Sequence, residues 1–208
     1  MFAPWIVWVV PSKVTVPALG VKVPLFAQLP ANRYRLVYIA NPPMSDIELL
    51  HAIAQKLSVP NLPDRRSDVL ADVLLSGMEQ ALRDNMRDGK DTLIIVDEAH
   101  TIKEERVLEQ LRLLMNFQDE DRFLLTMILM GQPELKELGD RHKPLAQRIC
   151  MGHHLLPLSA GETVEYARHR LSIAGAKDAN LFTSKALALL HEHSGGVPRR
   201  INQLADLA

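Results

Sequence analysis

Three uninterrupted, mainly apolar runs constrain this chain more than any other feature: RLVYIA (Arg35 to Ala40), TLIIV (Thr92 to Val96) and FLLTMILMG (Phe123 to Gly131). None approaches the ~18 apolar residues of a membrane span. Without polar and apolar positions alternating, such short runs read as strands buried on both faces. The segments between them carry helical spacing instead. Ser45 stands three residues before Glu48, a capping box, and Ile47, Leu50, Ile53, Ala54 and Leu57 follow, so a helix is expected from about Asp46 to Leu57. Val69, Val73, Leu74, Met78 and Leu82 share one face of a second helix ending near Asp88-Gly89. Val107, Leu108, Leu111, Leu114 and Met115 mark a third, and a short strand around His154 to Leu156 closes the series. Strands alternating with helices imply a parallel sheet covered by helices on both sides.

The ends of the chain read differently. Residues 1 to 30 hold five of the thirteen prolines (Pro4, Pro11, Pro17, Pro24, Pro30) and both tryptophans, and no acidic residue occurs before Asp46. Each proline fixes φ and removes a backbone donor, so loop or edge structure is expected there rather than a long helix or a central strand. MFAPWIVWVV is apolar but too short to span a membrane, and no basic segment precedes it as in a signal peptide. The last fifty residues are all helical in pattern. Ser159 with Glu162 caps a helix through Val164, Ala167 and Leu171; Thr183 caps another, stopped by Gly195-Gly196; a third begins near Pro198. This divides the chain into an atypical segment (1 to 30), an α/β core (31 to 157) and a small helical lid (158 to 208).

Composition removes several functions. With 24 basic and 25 acidic residues the net charge is −1, which argues against a surface built for nucleic acid. Aromatic residues make up 5%, too few for stacking platforms. Cys150 is the single cysteine, so no internal disulfide or cysteine-built zinc site can form, and a reducing, cytoplasmic setting fits.

The chemistry concentrates at LIIVDEAH. Four apolar residues followed by Asp97-Glu98 place carboxylates at the carboxyl end of a parallel strand, where open α/β sheets bind ligands. In nucleoside triphosphatases an aspartate there orients Mg²⁺, and a neighbouring acid can polarise the attacking water. Adjacent acids also serve simply as strand-end solvation or as charge at a helix N-terminus.

DTLIIVDEAH, MGQPEL, LAQRI and GGVPRRINQLADLA, in this order and spacing, resemble the AAA+ ATPases of the ExeA type, associated with general secretion pathways, and their transposition-helper relatives. The resemblance covers about residues 33 to 208. It implies a P-loop NTPase-like (AAA+) core with a helical lid, ATP and Mg²⁺ as cofactors, a homo-oligomer formed through AAA+ subunit contacts, and a secretion or transposition partner. Asp97 then matches the Walker B aspartate on Mg²⁺, acting through water, and Glu98 the catalytic glutamate. Gln132 matches the polar sensor of the γ-phosphate, and Arg148 an arginine reaching a neighbouring subunit's nucleotide. Arg199 matches the lid arginine on phosphates, with Arg200 beside it. By residue type alone, Gln132 equally suits a turn at Pro133 and Arg148 a surface ion pair. Arg199 and Arg200 open a helix whose N-terminal dipole disfavours cations, which makes an external anion a reasonable expectation.

The departure from that family is as informative. A phosphate loop needs glycines whose backbone N–H groups cradle phosphates, a lysine, and Ser or Thr on Mg²⁺, written GxxxxGK[ST]. The string occurs nowhere in the 208 residues; the one Gly-Lys pair, Gly89-Lys90, is followed by Asp91. Its expected place, residues 12 to 22, reads SKVTVPALGVK, and Lys22 is followed by Val23-Pro24 rather than a hydroxyl. Residues 1 to about 28 are therefore expected not to be the family's native N-terminus, and the last helix to be cut short at Ala208. If the nucleotide is lost with the loop, the chain is instead a nucleotide-blind remnant or adaptor. DEAH also names a helicase box, but two larger motor domains do not fit in this length. His191-Glu192-His193 lacks the spacing of a zinc protease, and adjacent His153 and His154 would face opposite sides of a strand. Met115, Met127 and Met130 read as core filling.

Overall fold

The computed structural model describes residues 6–10, 29–40, 42, 45–62, 70–120, 122–178 and 181–207, the first of these segments by its backbone. The chain forms two compact units, one spanning Trp5–Leu155 and one that includes Leu156–Ala208.

In the larger unit the elements run in the order β1 (Ile6–Val10), β2 (Tyr34–Ile39), α1 (Asp46–Lys56), α2 (Ala71–Arg87), β3 (Asp91–Val96), α3 (Glu105–Leu114), β4 (Gln118–Asp119), β5 (Arg122–Phe123), β6 (Leu125–Gly131), α4 (Glu134–Arg141), α5 (Lys143–Ala146) and β7 (Met151–His154). The main sheet has the order β2-β3-β6-β1-β7. β2, β3 and β6 pair in parallel, with Val37 opposite Ile94 and Ile94 opposite Met127. Parallel strands with helices packed against them make this unit an α/β fold.

Period-two geometry explains the apolar runs. Ile94 and Val96 point into one core with Val37, Met127 and Leu129, where α1 contributes Leu49, Leu50 and Ile53, α2 contributes Leu74, Met78 and Leu82, and α3 contributes Leu111 and Leu114. Leu93, Ile95, Ile128 and Met130 point to the opposite face, against Leu36, Tyr38 and Leu155. A strand buried on both sides cannot alternate apolar with polar, which is why these runs are continuous. Met115, Met127 and Met130 are buried as expected.

The helix starts expected at Ser45, Ser159 and Thr183 agree with their caps. Ser45 Oγ accepts the Glu48 N–H and Glu48 returns the bond to the Ser45 backbone, so both halves of the capping box form. Four details correct the sequence reading. β1 is an internal strand, not loop or edge structure: Pro4 and Pro11 bracket IVWVV, a proline-free and mostly β-branched five-residue run that pairs on both sides. The stretch from Phe123 is not one strand, because Arg122–Phe123 folds back on Gln118–Asp119 and β6 starts at Leu125. The last strand ends at His154 instead of starting there. Finally, Val73 is 59% exposed, since the i, i+4 row of α2 that faces the core is Leu74, Met78 and Leu82.

β1 runs antiparallel to both neighbours, with Ile6 opposite Gly131 and Val10 opposite Met127. β1 therefore ends beside the amino end of β6, opposite the edge at which β3 and β6 end. The expected phosphate loop at 12 to 22, with Lys22, lies outside the described residues.

The smaller unit consists of α6 (Ala160–Ile173), α7 (Ser184–Ser194) and α8 (Pro198–Ala205). Ala167, Leu187 and Leu190 form its core with Val164, Phe182, Leu204 and Ala205. Ser159 and Glu162 make a second capping box, and Thr183 Oγ1 accepts the Ala186 N–H. Gly195 closes α7 in the left-handed conformation. Among the described residues no helix is long and apolar enough to cross a membrane.

Candidate active site

β3 delivers its chain to the carboxyl edge of the sheet, and the next two residues are the acids. Asp97 is 5% exposed. Its backbone N–H donates to Ile39 O (2.8 Å), extending the β2–β3 ladder by one step. Its Oδ1 accepts the Glu98 N–H (2.9 Å), and its Oδ2 accepts the Tyr38 hydroxyl (2.6 Å). A buried carboxylate needs such donors.

Glu98 lies in the left-handed region, φ 54° and ψ 32°, a conformation that side-chain-bearing residues seldom take. Strain of this kind, on the order of 1–3 kcal/mol, persists where surrounding bonds over-determine it. Here Glu98 O accepts both the Thr101 N–H (2.9 Å) and the Thr101 hydroxyl (2.7 Å), tying the short 3₁₀ turn Ala99–Thr101 to the end of β3. The turn swings the Glu98 side chain out of the strand's alternation and leaves it part-exposed.

The parallel neighbour β6 ends at Gly131, and Gln132 follows directly. The Gln132 N–H donates to His100 Nδ1 (3.3 Å), and the same nitrogen lies 3.6 Å from Glu98 Oε2. Asp97, Glu98 and Gln132 are thus drawn into one cluster. Arg148 is exposed in the turn between α5 and β7. Arg199 and Arg200 are exposed on the first turn of α8 in the smaller unit. Of the other histidines, His191 meets the Thr163 hydroxyl through Nδ1 at 3.0 Å, and among the described residues no group of three His, Cys, Asp or Glu could hold an ion.

Two members of the cluster escaped sequence reading. Tyr38 is an ordinary β-former in its strand, and only the pairing of β2 with β3, Tyr38 opposite Ile95, brings its hydroxyl to Asp97. His100 was visible as the last letter of DEAH, but its partner Gln132 is 32 residues away.

Burial pushes the Tyr38 phenol up to about 12, helped by its hydrogen bond to Asp97 and by the charges of Asp97 and Glu98. Ionising Tyr38 is therefore harder in the folded protein than in the unfolded chain, where a tyrosine titrates near 10. The stabilisation is complete below about pH 10 and is lost as pH rises towards 12. Tyr38→Phe is expected to lower stability by about 2 kcal/mol at neutral pH, since it removes a hydrogen bond to a buried carboxylate. It is also expected to flatten this alkaline loss, as read by urea unfolding at pH 7, 10 and 11.5.

A Mg²⁺ ion that arrives with a nucleotide needs only one or two protein carboxylates, the phosphates supplying the rest. Buried, hydrogen-bonded Asp97 fits that requirement, so the absence of a three-ligand cluster does not count against it. The phosphate-cradling side is a different matter, because GxxxxGK[ST] is missing from the sequence and β1 exits at the other edge.

A model of the AAA domain matches residues 23–138. The chain is 40% identical over 186 residues to General secretion pathway protein A of Aeromonas hydrophila, covering 88% of this chain and 33% of that protein. It is 31% identical over 113 residues to an uncharacterized HTH-type transcriptional regulator of Methanocaldococcus jannaschii, covering 52% of this chain and 27% of the regulator. The matched region thus spans a third or less of these curated relatives. No solved structure matches the chain.

Proposed function

The chain belongs to the AAA domain family, and from that premise we propose that it is the Mg-ATP-handling module of a cytoplasmic, secretion-related assembly. The observation that carries this reading is the pair Asp97-Glu98 at the carboxyl end of β3 with Gln132 at the end of β6 beside it. Mg²⁺ supplies charge neutralisation on the phosphates when bound. Asp97, fixed by Tyr38 and the Glu98 N–H, would hold that ion. Glu98, turned out of the strand, accepts the proton of the attacking water. Gln132 reads the terminal phosphate, and Arg148 serves a neighbouring copy in a homo-oligomer. Arg199 and Arg200 are phosphate contacts on the strength of the resemblance. General secretion pathway protein A is the relative that points to secretion partners rather than transposition.

One observation favours a second reading. With no GxxxxGK[ST] and with β1 reversed, the described edge offers carboxylates without a phosphate cradle, as in a nucleotide-blind adaptor that keeps the family fold. Thermal unfolding with and without 2 mM Mg-ATP separates the two, because a ligand selective for the folded state raises stability by mass action. If Kd is ~20 µM, the gain is about 2.7 kcal/mol, which for a chain of this size is on the order of 5–10 °C. Asp97→Asn and Arg199→Ala are expected to reduce the gain. A wild-type shift below 1 °C would sink the nucleotide reading and leave the adaptor.

A further inference from the structure

His100 sits where the ends of β3 and β6 meet, and a glycine makes room for it. A Cβ at position 131 would come within 3.1 Å of both the His100 backbone nitrogen and Nδ1, closer than nearly all real contacts. From this seat Nδ1 accepts the Gln132 N–H at 3.3 Å and lies 3.6 Å from Glu98 Oε2. One imidazole nitrogen carries either a lone pair or a proton. With the lone pair on Nδ1, the Gln132 N–H is satisfied and the ring turns a like-signed dipole towards the Glu98 carboxylate. With the proton on Nδ1, Glu98 gains a donor and the Gln132 N–H loses its acceptor. The two contacts are therefore mutually exclusive.

We propose that His100 is a positioning residue that ties the Glu98 carboxylate to the Gln132 peptide, so that the hold on one is released when the other is engaged. The inference rests on the reading of Glu98 as the base and Gln132 as the sensor. It adds a link between them that neither DEAH nor MGQP displays alone. It also assigns Gly131 a task, admitting the ring that makes the link.

The test uses hydrogen exchange and nitrogen shifts at the Gln132 amide in the full chain without nucleotide, and steady-state hydrolysis with Mg-ATP. His100→Ala is expected to speed exchange of that amide roughly tenfold, the loss of about one hydrogen bond. His100→Asn, whose side-chain oxygen can take the place of Nδ1, is expected to restore it to within threefold. Glu98→Ala removes the competing carboxylate without adding a donor or acceptor and is expected to slow the same exchange below the wild-type rate. In hydrolysis, His100→Ala lowers kcat roughly tenfold with KM within twofold, and His100→Asn recovers most of it. A Gln132 amide that exchanges at the wild-type rate in Glu98→Ala overturns the link, as does one indifferent to His100→Ala. Should His100→Ala not fold, the comparison of His100→Asn and Glu98→Ala with wild type decides alone. A wild-type chain that hydrolyses no ATP overturns the catalytic reading instead, and the amide exchange still decides whether the link exists.

Discussion

Glu98→Gln is expected to lower the rate of ATP hydrolysis by about 10²- to 10⁴-fold while leaving nucleotide affinity within about threefold, the range in which a positioned general base contributes. The substitution keeps the size of the side chain and the left-handed backbone while removing its basicity. Binding and turnover then separate: the Mg-ATP stabilisation persists and the phosphate release rate falls. A companion substitution isolates the strain. Glu98→Gly removes the same carboxylate but relieves a φ of 54°, and is expected to melt higher than Glu98→Gln by about 1 kcal/mol of stability. Turnover in Glu98→Gln within tenfold of wild type would show that another group activates the water. A lower melting temperature for Glu98→Gly than for Glu98→Gln would show that the side chain, and not the surrounding bonds, holds this turn in place.

The second large effect is on the fold of the smaller unit. Gly196→Ala is expected to destabilise that unit by about 3 kcal/mol or more, enough to unfold a bundle with so small a core. Gly196 has a φ of +73°, and an added Cβ would stand 2.0 Å from the carbonyl oxygen of Leu158. That oxygen belongs to a residue pinned in place, because the Leu158 N–H donates to Gly196 O at 2.8 Å. Neither side can retreat without breaking the bond that joins the start of α6 to the turn before α8. Gly195→Ala makes the informative control: its φ of +60° carries the left-handed penalty, but nothing lies within 4 Å of the added methyl, so a loss of about 1 kcal/mol is expected. Circular dichroism melts of both variants read the difference directly. Equal losses at 195 and 196 would mean that the backbone conformation, and not the collision with Leu158, is what requires glycine.

Gly196 illustrates how far the sequence could be read. Gly195-Gly196 marked the end of a helix, and α7 does end there, but the reason for the second glycine lies 38 residues earlier in the chain. The caps, by contrast, were wholly legible: Ser45 with Glu48 and Ser159 with Glu162 are local devices completed within four residues. The alternation of strands and helices was legible for the same reason, since burial on both faces leaves a continuous apolar string. The family resemblance built on DEAH, MGQPEL and GGVPRR agrees with the AAA domain match and with the relationship to General secretion pathway protein A.

What failed was long-range. Proline spacing ruled out a central strand before residue 30, yet Ile6–Val10 pairs with β6 on one side and β7 on the other. The prolines flank the strand rather than interrupt it, and no local rule states that a vacant place in a sheet will accept a five-residue β-former in either direction.

The sequence by itself determined the fold class, the capped helix starts at Ser45, Ser159 and Thr183 and the position of Asp97 and Glu98 at a strand end, because periodicity, capping and strand length are short-range properties of the chain. Only the tertiary structure decided that Tyr38 holds Asp97, that His100 reaches Gln132 over Gly131, and that β1 runs backwards beside β6. Each of these depends on which strand lies next to which and in what register, and a hydrogen bond of about 3 Å is sensitive to a pairing that sequence separation leaves open.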